Sequence, residues 1–253
     1  MNNIKVSDLI YGCFENFNMD LFIENKHFIS IIGSNKCGKT TLFKILTGMI
    51  PTNNVVSIDN LFLNKKNVNE YIKKIGVVFK ANNNLFLYSK VSDELEYSLL
   101  NLNYNSPYRK KCINEIIKHF NFEKDILEKE INDLNFYEKQ KLMFCLALVH
   151  RPKYLFIDDD VLSSLNYSET KEIIDILKKL NVFVINFSST LDNGNYFDYF
   201  YILSSNNLML DGDYKTIINN FDILKKGQID LPIDDYLKLK LSNEEKDILG
   251  LGE

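Results

Sequence analysis

Gly33-Ser34-Asn35-Lys36-Cys37-Gly38-Lys39-Thr40-Thr41 fits the pattern G-x-x-x-x-G-K-[ST]. Residues of these types at this spacing form a phosphate-binding loop. Main-chain N–H groups of the loop, and the N-terminus of the helix behind it, present positive potential to phosphate oxygens. Lys39 is placed to reach β- and γ-phosphates, and the hydroxyl of Thr40 or Thr41 to hold Mg²⁺. Cys37 lies beside Lys39 and a helix N-terminus, both of which favour a thiolate. It is therefore expected to react with a maleimide and to be protected by bound nucleotide. A second group, Asp158-Asp159, follows the apolar run Tyr154-Leu155-Phe156-Ile157. A carboxylate at the end of such a strand can hold Mg²⁺, and its neighbour can polarise an attacking water. An Asp run after a strand is also an ordinary polar turn; its partnership with the phosphate loop favours the metal reading.

Both groups need an α/β frame to hold them. Residues 28–32 read as a buried strand leading into the loop, Leu42, Ile45 and Leu46 follow at helical spacing, and Gly48 can end that helix. Residues 55–58 and 75–79 read as strands. From about 92 to 150 the pattern is helical, through Leu95, Leu99 and Leu102, then Ile113, Ile116, Ile117 and Phe120, then Leu142, Leu146 and Val149, until Pro152. A helix over 169–180 leads to a strand at 182–185. Residues 199–203 and 208–210 flank the hairpin signal Asn206-Asn207. This alternation predicts a mostly parallel core sheet with an antiparallel β portion and a helical insert.

Composition narrows the function classes. The net charge of −4 gives no basic footprint for nucleic acid. No apolar run approaches the ~20 residues of a spanning helix, and the start lacks a signal-peptide pattern. Four cysteines without C-x-x-C spacing suggest reduced thiols in a cytoplasmic protein. His27, His119 and His150 lack metal-ligand spacing, and Tyr108-Arg109-Lys110-Lys111 reads as a solvated helix face. Ser242-x-x-Glu245 before Ile248 and Leu249 fits a capping box.

In order along the chain, these motifs resemble the ATP-binding subunit of ABC transporters, and more closely the ATPase of energy-coupling-factor transporters, which take up vitamins and transition metals. The stretch from Ile75 to Phe86 is similar to that family's IGVVFQNPDNQF, and His150-Arg151-Pro152-Lys153-Tyr154 to its RPK segment. Leu210-Asp211-Gly212-Asp213 resembles its DGT stretch, and Ile229-Asp230-Leu231-Pro232 its LDLP tail. The resemblance implies a P-loop NTPase fold of ABC-ATPase type. It divides the chain into an ATP-binding domain over 1–222, with a helical subdomain at about 92–150, and a tail over 223–253 that is a dimerisation lobe or a helix packed on its own domain. It implies ATP and Mg²⁺ as cofactors. Its partners would be a second ABC ATPase subunit, a heterodimer being favoured over a homodimer, and an integral membrane subunit. The chain would then sit in the cytoplasm, peripheral on the inner face of the cell membrane.

The chain departs from the family at several places. Lys80 stands at the Q-loop Gln. The signature LSGGQ reads Leu134-Asn135-Phe136-Tyr137-Glu138, in which Asn135 can still donate a hydrogen bond and the helix N-terminus behind it still favours an anion. Lys36 replaces a loop Gly. The switch His aligns with Phe187. The adenine-stacking Tyr falls near Cys13, with Tyr11 and Phe14 as aromatic candidates. Counting through Arg151-Pro152 without a gap makes Asp158 the metal ligand and Asp159 the catalytic position, where the family has Glu. Counting back from Ser163-Ser164-Leu165-Asn166 gives Asp159 and Asp160 instead; the first count rests on the longer match. These departures support nucleotide binding more than hydrolysis. Two alternatives stand beside a transporter ATPase: an impaired regulatory subunit paired with an active paralogue, and a soluble ABC ATPase without a transport task.

Overall fold

The computed structural model describes residues 3–22 and 27–240. The first strands, β1 (Asn3–Tyr11) and β2 (Phe14–Phe22), form an antiparallel hairpin. Next come β3 (Phe28–Gly33), α1 (Lys39–Leu46), β4 (Val56–Ile58), β5 (Leu61–Phe62), α2 (Val68–Lys74) and β6 (Ile75–Val78). A helical stretch of α3 (Val91–Leu100), α4 (Ser106–His119) and α5 (Phe136–Leu148) precedes β7 (Tyr154–Ile157), α6 (Tyr167–Leu180) and β8 (Phe183–Ser188). The hairpin of β9 (Tyr199–Ser204) and β10 (Asn207–Gly212) leads to α7 (Tyr214–Asn219), α8 (Phe221–Lys226) and α9 (Ile233–Lys240).

Two sheets result. One has the order β10-β9-β3-β8-β7-β6 and is parallel except for β10; the other, β2-β1-β4-β5, is antiparallel. Residues 55–58 therefore supply a strand as expected, but to the second sheet. The core strands alternate between two apolar clusters. Leu155, Ile157, Val184 and Ile32 face α3 to α6, while Tyr154, Phe156, Ile185, Phe187, Ile29 and Ile31 face α1 and the antiparallel sheet. A sheet covered on both faces explains why these strands read as unbroken apolar runs.

All the parallel strands end at one edge. Register aligns Val78 with Ile157, Ile157 with Asn186, and Ser188 with Ile32. The loops after β3, β6, β7 and β8 thus emerge side by side, at the carboxyl edge where α/β folds bind ligands. Beyond residue 222, Leu224 and Ile229 are buried in the same core cluster as α4 and α5, and Tyr214 Oη donates to Asp235 of α9. The Ser242–Glu245 capping box lies outside the described residues.

Candidate nucleotide site

The phosphate loop leaves β3 at Gly33 and turns at Ser34–Cys37, where Cys37 N donates to Ser34 O at 3.3 Å. Two residues of the loop are left-handed, Lys36 at φ 67° and Gly38 at φ 102°. Gly38 has no alternative: a Cβ there would stand 2.7 Å from Cζ of Phe14. At Lys36 the same conformation costs about 1–2 kcal/mol in an L-residue. Helix α1 then begins at Lys39 with no side-chain cap and no acidic residue in its first turn. Its leading N–H groups therefore remain available to an anion. Thr40 is exposed and Thr41 half-buried.

Lys39 is buried, and its ammonium is fixed on three sides. It donates to Gly33 O and, at 3.1 Å, to Ser34 O, and it lies 3.5 Å from Asp159 Oδ2. The other oxygen of Asp159 accepts from Ser189 N at 3.1 Å and from Ser189 Oγ at 3.4 Å. Asp159 thus joins the ends of β3, β7 and β8. Asp158 sits one residue closer to the strand, its N–H on Val78 O and its Oδ1 accepting from Asp159 N at 2.9 Å. Burial, with the neighbouring charges of Asp159 and Asp160, raises the Asp158 carboxyl above the ordinary range. Asp160 is exposed, with φ 65°. For Mg²⁺ the donor set fits: the Thr40 hydroxyl and the Asp158 carboxylate are hard oxygen ligands, and this ion needs only one or two of them beside substrate phosphates.

Some expected site residues stand differently. Cys37 is buried at 4% exposure, packed on Gly33 within the core, whereas Cys13 is exposed. Burial removes the thiol from reagents, so the expected reactivity of Cys37 is corrected; only its main chain faces the loop. Phe14 is 1% exposed, wedged between Gly38 and Phe17, so of the two aromatic candidates only Tyr11 offers a ring to solvent. Phe187 is the penultimate residue of β8, but its side chain does not enter the site. It is buried and packs edge-on against Phe43 of α1, and Ser189 is the residue that reaches Asp159.

Asn135 caps α5. Its Oδ1 accepts from Glu138 N, and Glu138 Oε2 accepts from Asn135 N, both at 2.9 Å. This reciprocal box places a carboxylate over the helix N-terminus and satisfies two of its N–H groups. The expectation that this terminus still favours an anion is corrected accordingly; Asn135 keeps only its Nδ2 donors for a ligand. Phe136 is exposed, while Tyr137 turns away to donate to Glu172 of α6 at 2.9 Å, and Lys141 joins the same carboxylate at 3.3 Å. Lys80 is exposed just beyond β6. The main chain on either side of it is clamped by Gln140 of α5, which accepts from Ala81 N at 2.8 Å and donates to Phe79 O at 3.0 Å.

Sequence reasoning missed Ser189 and Gln140. For Gln140 a signal existed: an uncharged amide between two lysines on a helix, now fully buried. For Ser189 no signal stood in the sequence, where the switch position aligns with Phe187 two residues upstream.

A parallel sheet that delivers an uncapped helix N-terminus, a buried loop lysine and a strand-end carboxylate to one edge defines a P-loop nucleotide-binding protein. A sequence model of the family described as ABC transporter matches residues 16–161, more than half of the chain, and the chain belongs to the ABC transporter ATP-binding family. Among curated relatives, it is 28% identical to the energy-coupling factor transporter ATP-binding protein EcfA1 of Mesomycoplasma hyopneumoniae strain J, over 93% of this chain and 92% of that protein. Among solved structures, CbiO1 of Clostridium perfringens, described as part of the ABC transporter complex CbiONQ, has a TM-score of 0.75 at 20% identity and 98% coverage of both chains. A dimeric bacterial ABC transporter cassette, MJ0796, has a TM-score of 0.69 at 22% identity, covering 83% of this chain and 98% of that one. The structural likenesses speak for the fold. No helix among the described residues is long and apolar enough to cross a membrane.

Proposed function

We propose that the chain is the ATP-binding subunit of an energy-coupling-factor type importer, converting binding of Mg·ATP, with at most slow hydrolysis, into movement of a membrane partner during uptake of a vitamin or metal ion. The observation that carries this reading is the convergence of Lys39, Asp159 and Ser189 on an uncapped helix N-terminus. The likeness to EcfA1 over nearly the whole chain supports the transporter type.

In this reading the N–H groups of residues 34–39 and the start of α1 cradle the phosphates, and Lys39 exchanges its carbonyl partners for phosphate oxygens. Tyr11 offers a face to adenine. Thr40 and Asp158 would hold Mg²⁺, which would supply positive charge against that of the phosphates. Asp159 is the residue to orient a water. Its carboxylate is already engaged by Lys39 and Ser189, and it is one methylene shorter than Glu, so it positions a water poorly; ~1 Å of misplacement can cost ~100-fold. The main chain around Lys80, held by Gln140, would carry the nucleotide state toward the membrane subunit from the cytoplasmic side.

A second reading, a catalytically impaired subunit paired with an active paralogue, is favoured by the N-terminus of α5. If two such subunits close head to tail, α5 faces the partner's nucleotide. Its terminus is already capped by Asn135 and Glu138 and carries an exposed Phe136. A heterodimer would then own one sound and one poor composite site. Titration calorimetry with Mg·ATP tests the binding assignment: measurable affinity lost in Lys39→Ala supports it, and equal affinity in the two proteins refutes it. Turnover by the chain alone as fast as with its paralogue would remove the impaired-subunit reading.

A further inference from the structure

The turn of the phosphate loop carries a side chain that its backbone does not favour. Lys36 occupies the third position of the Ser34–Cys37 turn in a left-handed conformation that suits glycine. Ten of the fourteen non-glycine described residues with positive φ are Asn or Asp, the side chains that tolerate it best. This Asn-rich chain nonetheless has Lys at 36. The side chain is exposed and contributes nothing to the core. Its ammonium forms no ion pair with a described residue.

The other loop lysine is held inside the site. Lys39 is buried between two carbonyls and Asp159. At the same mouth stand Asp158, Asp159 and Asp160, with Lys44 acting on Asp158 from α1. A triphosphate entering here adds anionic charge to a region where carboxylates already outnumber the engaged lysine, and an unshielded cation at the rim gains from that field. The N–H cradle of such a loop takes the inner phosphates. A third phosphoryl group lies beyond the cradle and is open to ammonium groups carried by the loop.

We propose that Lys36 is a second phosphate-contacting ammonium, which engages the terminal phosphoryl group and makes the site prefer a nucleoside triphosphate to the diphosphate. This rests on the loop being a nucleotide site and adds the source of its selectivity. Strained backbone retained at a ligand-binding loop is consistent with such a task.

The test is titration calorimetry with Mg·ATP and with Mg·ADP on the wild-type chain, Lys36→Gly, Lys36→Gln and Lys36→Arg. Loss of the charge in Lys36→Gly and Lys36→Gln is expected to weaken ATP about fivefold to tenfold and ADP less than about twofold. Lys36→Arg should keep the preference. Lys36→Gly should also melt at a higher temperature without nucleotide, because glycine relieves the turn, so that weaker ATP binding cannot stem from a damaged fold. Equal losses for both nucleotides, or no loss for either, would overturn the role of Lys36 while leaving the loop a nucleotide site. A wild-type chain that binds neither nucleotide would overturn the loop assignment itself.

Discussion

Among the described helices, α1 and α5 begin in opposite ways. Helix α1 starts behind Gly38 with no side-chain cap and no acidic residue in its first turn. Helix α5 starts behind Asn135 with a reciprocal capping box, a carboxylate from Glu138 and an exposed Phe136. An open terminus costs stability when empty and recovers it when an anion binds; a closed one is satisfied by its own side chains and has little left to offer. Sites for a ligand and sites for stability are thus told apart by who supplies the partners of the first N–H groups. Beneath each terminus a buried polar side chain fixes the neighbouring loop: Lys39 draws in Asp159, and Gln140 clamps the main chain on both sides of Lys80.

The comparison breaks most sharply if the two ends are cut in parallel. Lys39→Ala should lower affinity for Mg·ATP at least roughly tenfold, since a charged hydrogen bond is lost at the open end. Asn135→Ala should leave that affinity unchanged and instead cost about 1 kcal/mol of stability from the lost cap. Calorimetry and denaturant melts on the same preparations separate the two, and an equal loss of ATP affinity in both variants would dissolve the distinction.

Next in size is Tyr137→Phe. It removes one hydrogen bond from Glu172, which Lys141 still pairs, so a loss of about 1 kcal/mol is expected in urea denaturation, with no change in ATP affinity. Tyr137→Gly should cost more, because the ring contact with Lys141 goes as well. A smaller effect is expected from Glu138→Gln, which can keep the capping geometry but removes the charge. In a mixed dimer it should strengthen nucleotide binding at the composite site facing α5 by about twofold to fivefold. No change would mean that Phe136, not charge, closes this end.

The pH dependence of Asp158 sharpens the open end. Its folded carboxyl lies above the unfolded value, with burial the main cause, so the stability associated with its protonated form is fully present below about pH 4 and is lost as pH rises through the raised value. Asp158→Asn should therefore melt higher than wild type at neutral pH, with the difference vanishing in acid. A difference independent of pH would exclude ionisation as its cause. The smallest effect is a null one: maleimide should label Cys13 and spare Cys37, with or without Mg·ATP, as peptide mapping would reveal.

Local patterns carried much of this protein. The run at 28–32, the loop after it, the apolar strand before Asp158 and the Asn206-Asn207 hairpin signal are contiguous, and each appears in the structure as β3, the phosphate loop, β7 and the β9–β10 turn. Of the antiparallel sheet, the strand at 55–58 was legible as β4, but the β1–β2 hairpin was not. Its first strand buries Ile4, Val6 and Leu9, and the register shift between Val6 and Leu9 destroys the period-two alternation by which a half-buried strand is recognised. Helices α7, α8 and α9 are short, and their periodicity is too brief to read.

What the sequence determined by itself was the chemistry: a glycine-bounded loop with its lysine, an acidic strand end, and the departures at Lys36, Lys80 and the signature, all fixed by residues adjacent in the chain. Only the tertiary structure decided which of these groups meet. It brought Asp159 to Lys39 and Ser189, buried Phe187, Phe14 and Cys37 in the core, and turned Asn135 and Glu138 toward each other. The reason is that strand register and packing set where a side chain points. A shift of one residue moves it from one face of a sheet to the other, and a single chain of letters carries no record of that choice until its neighbours are in place.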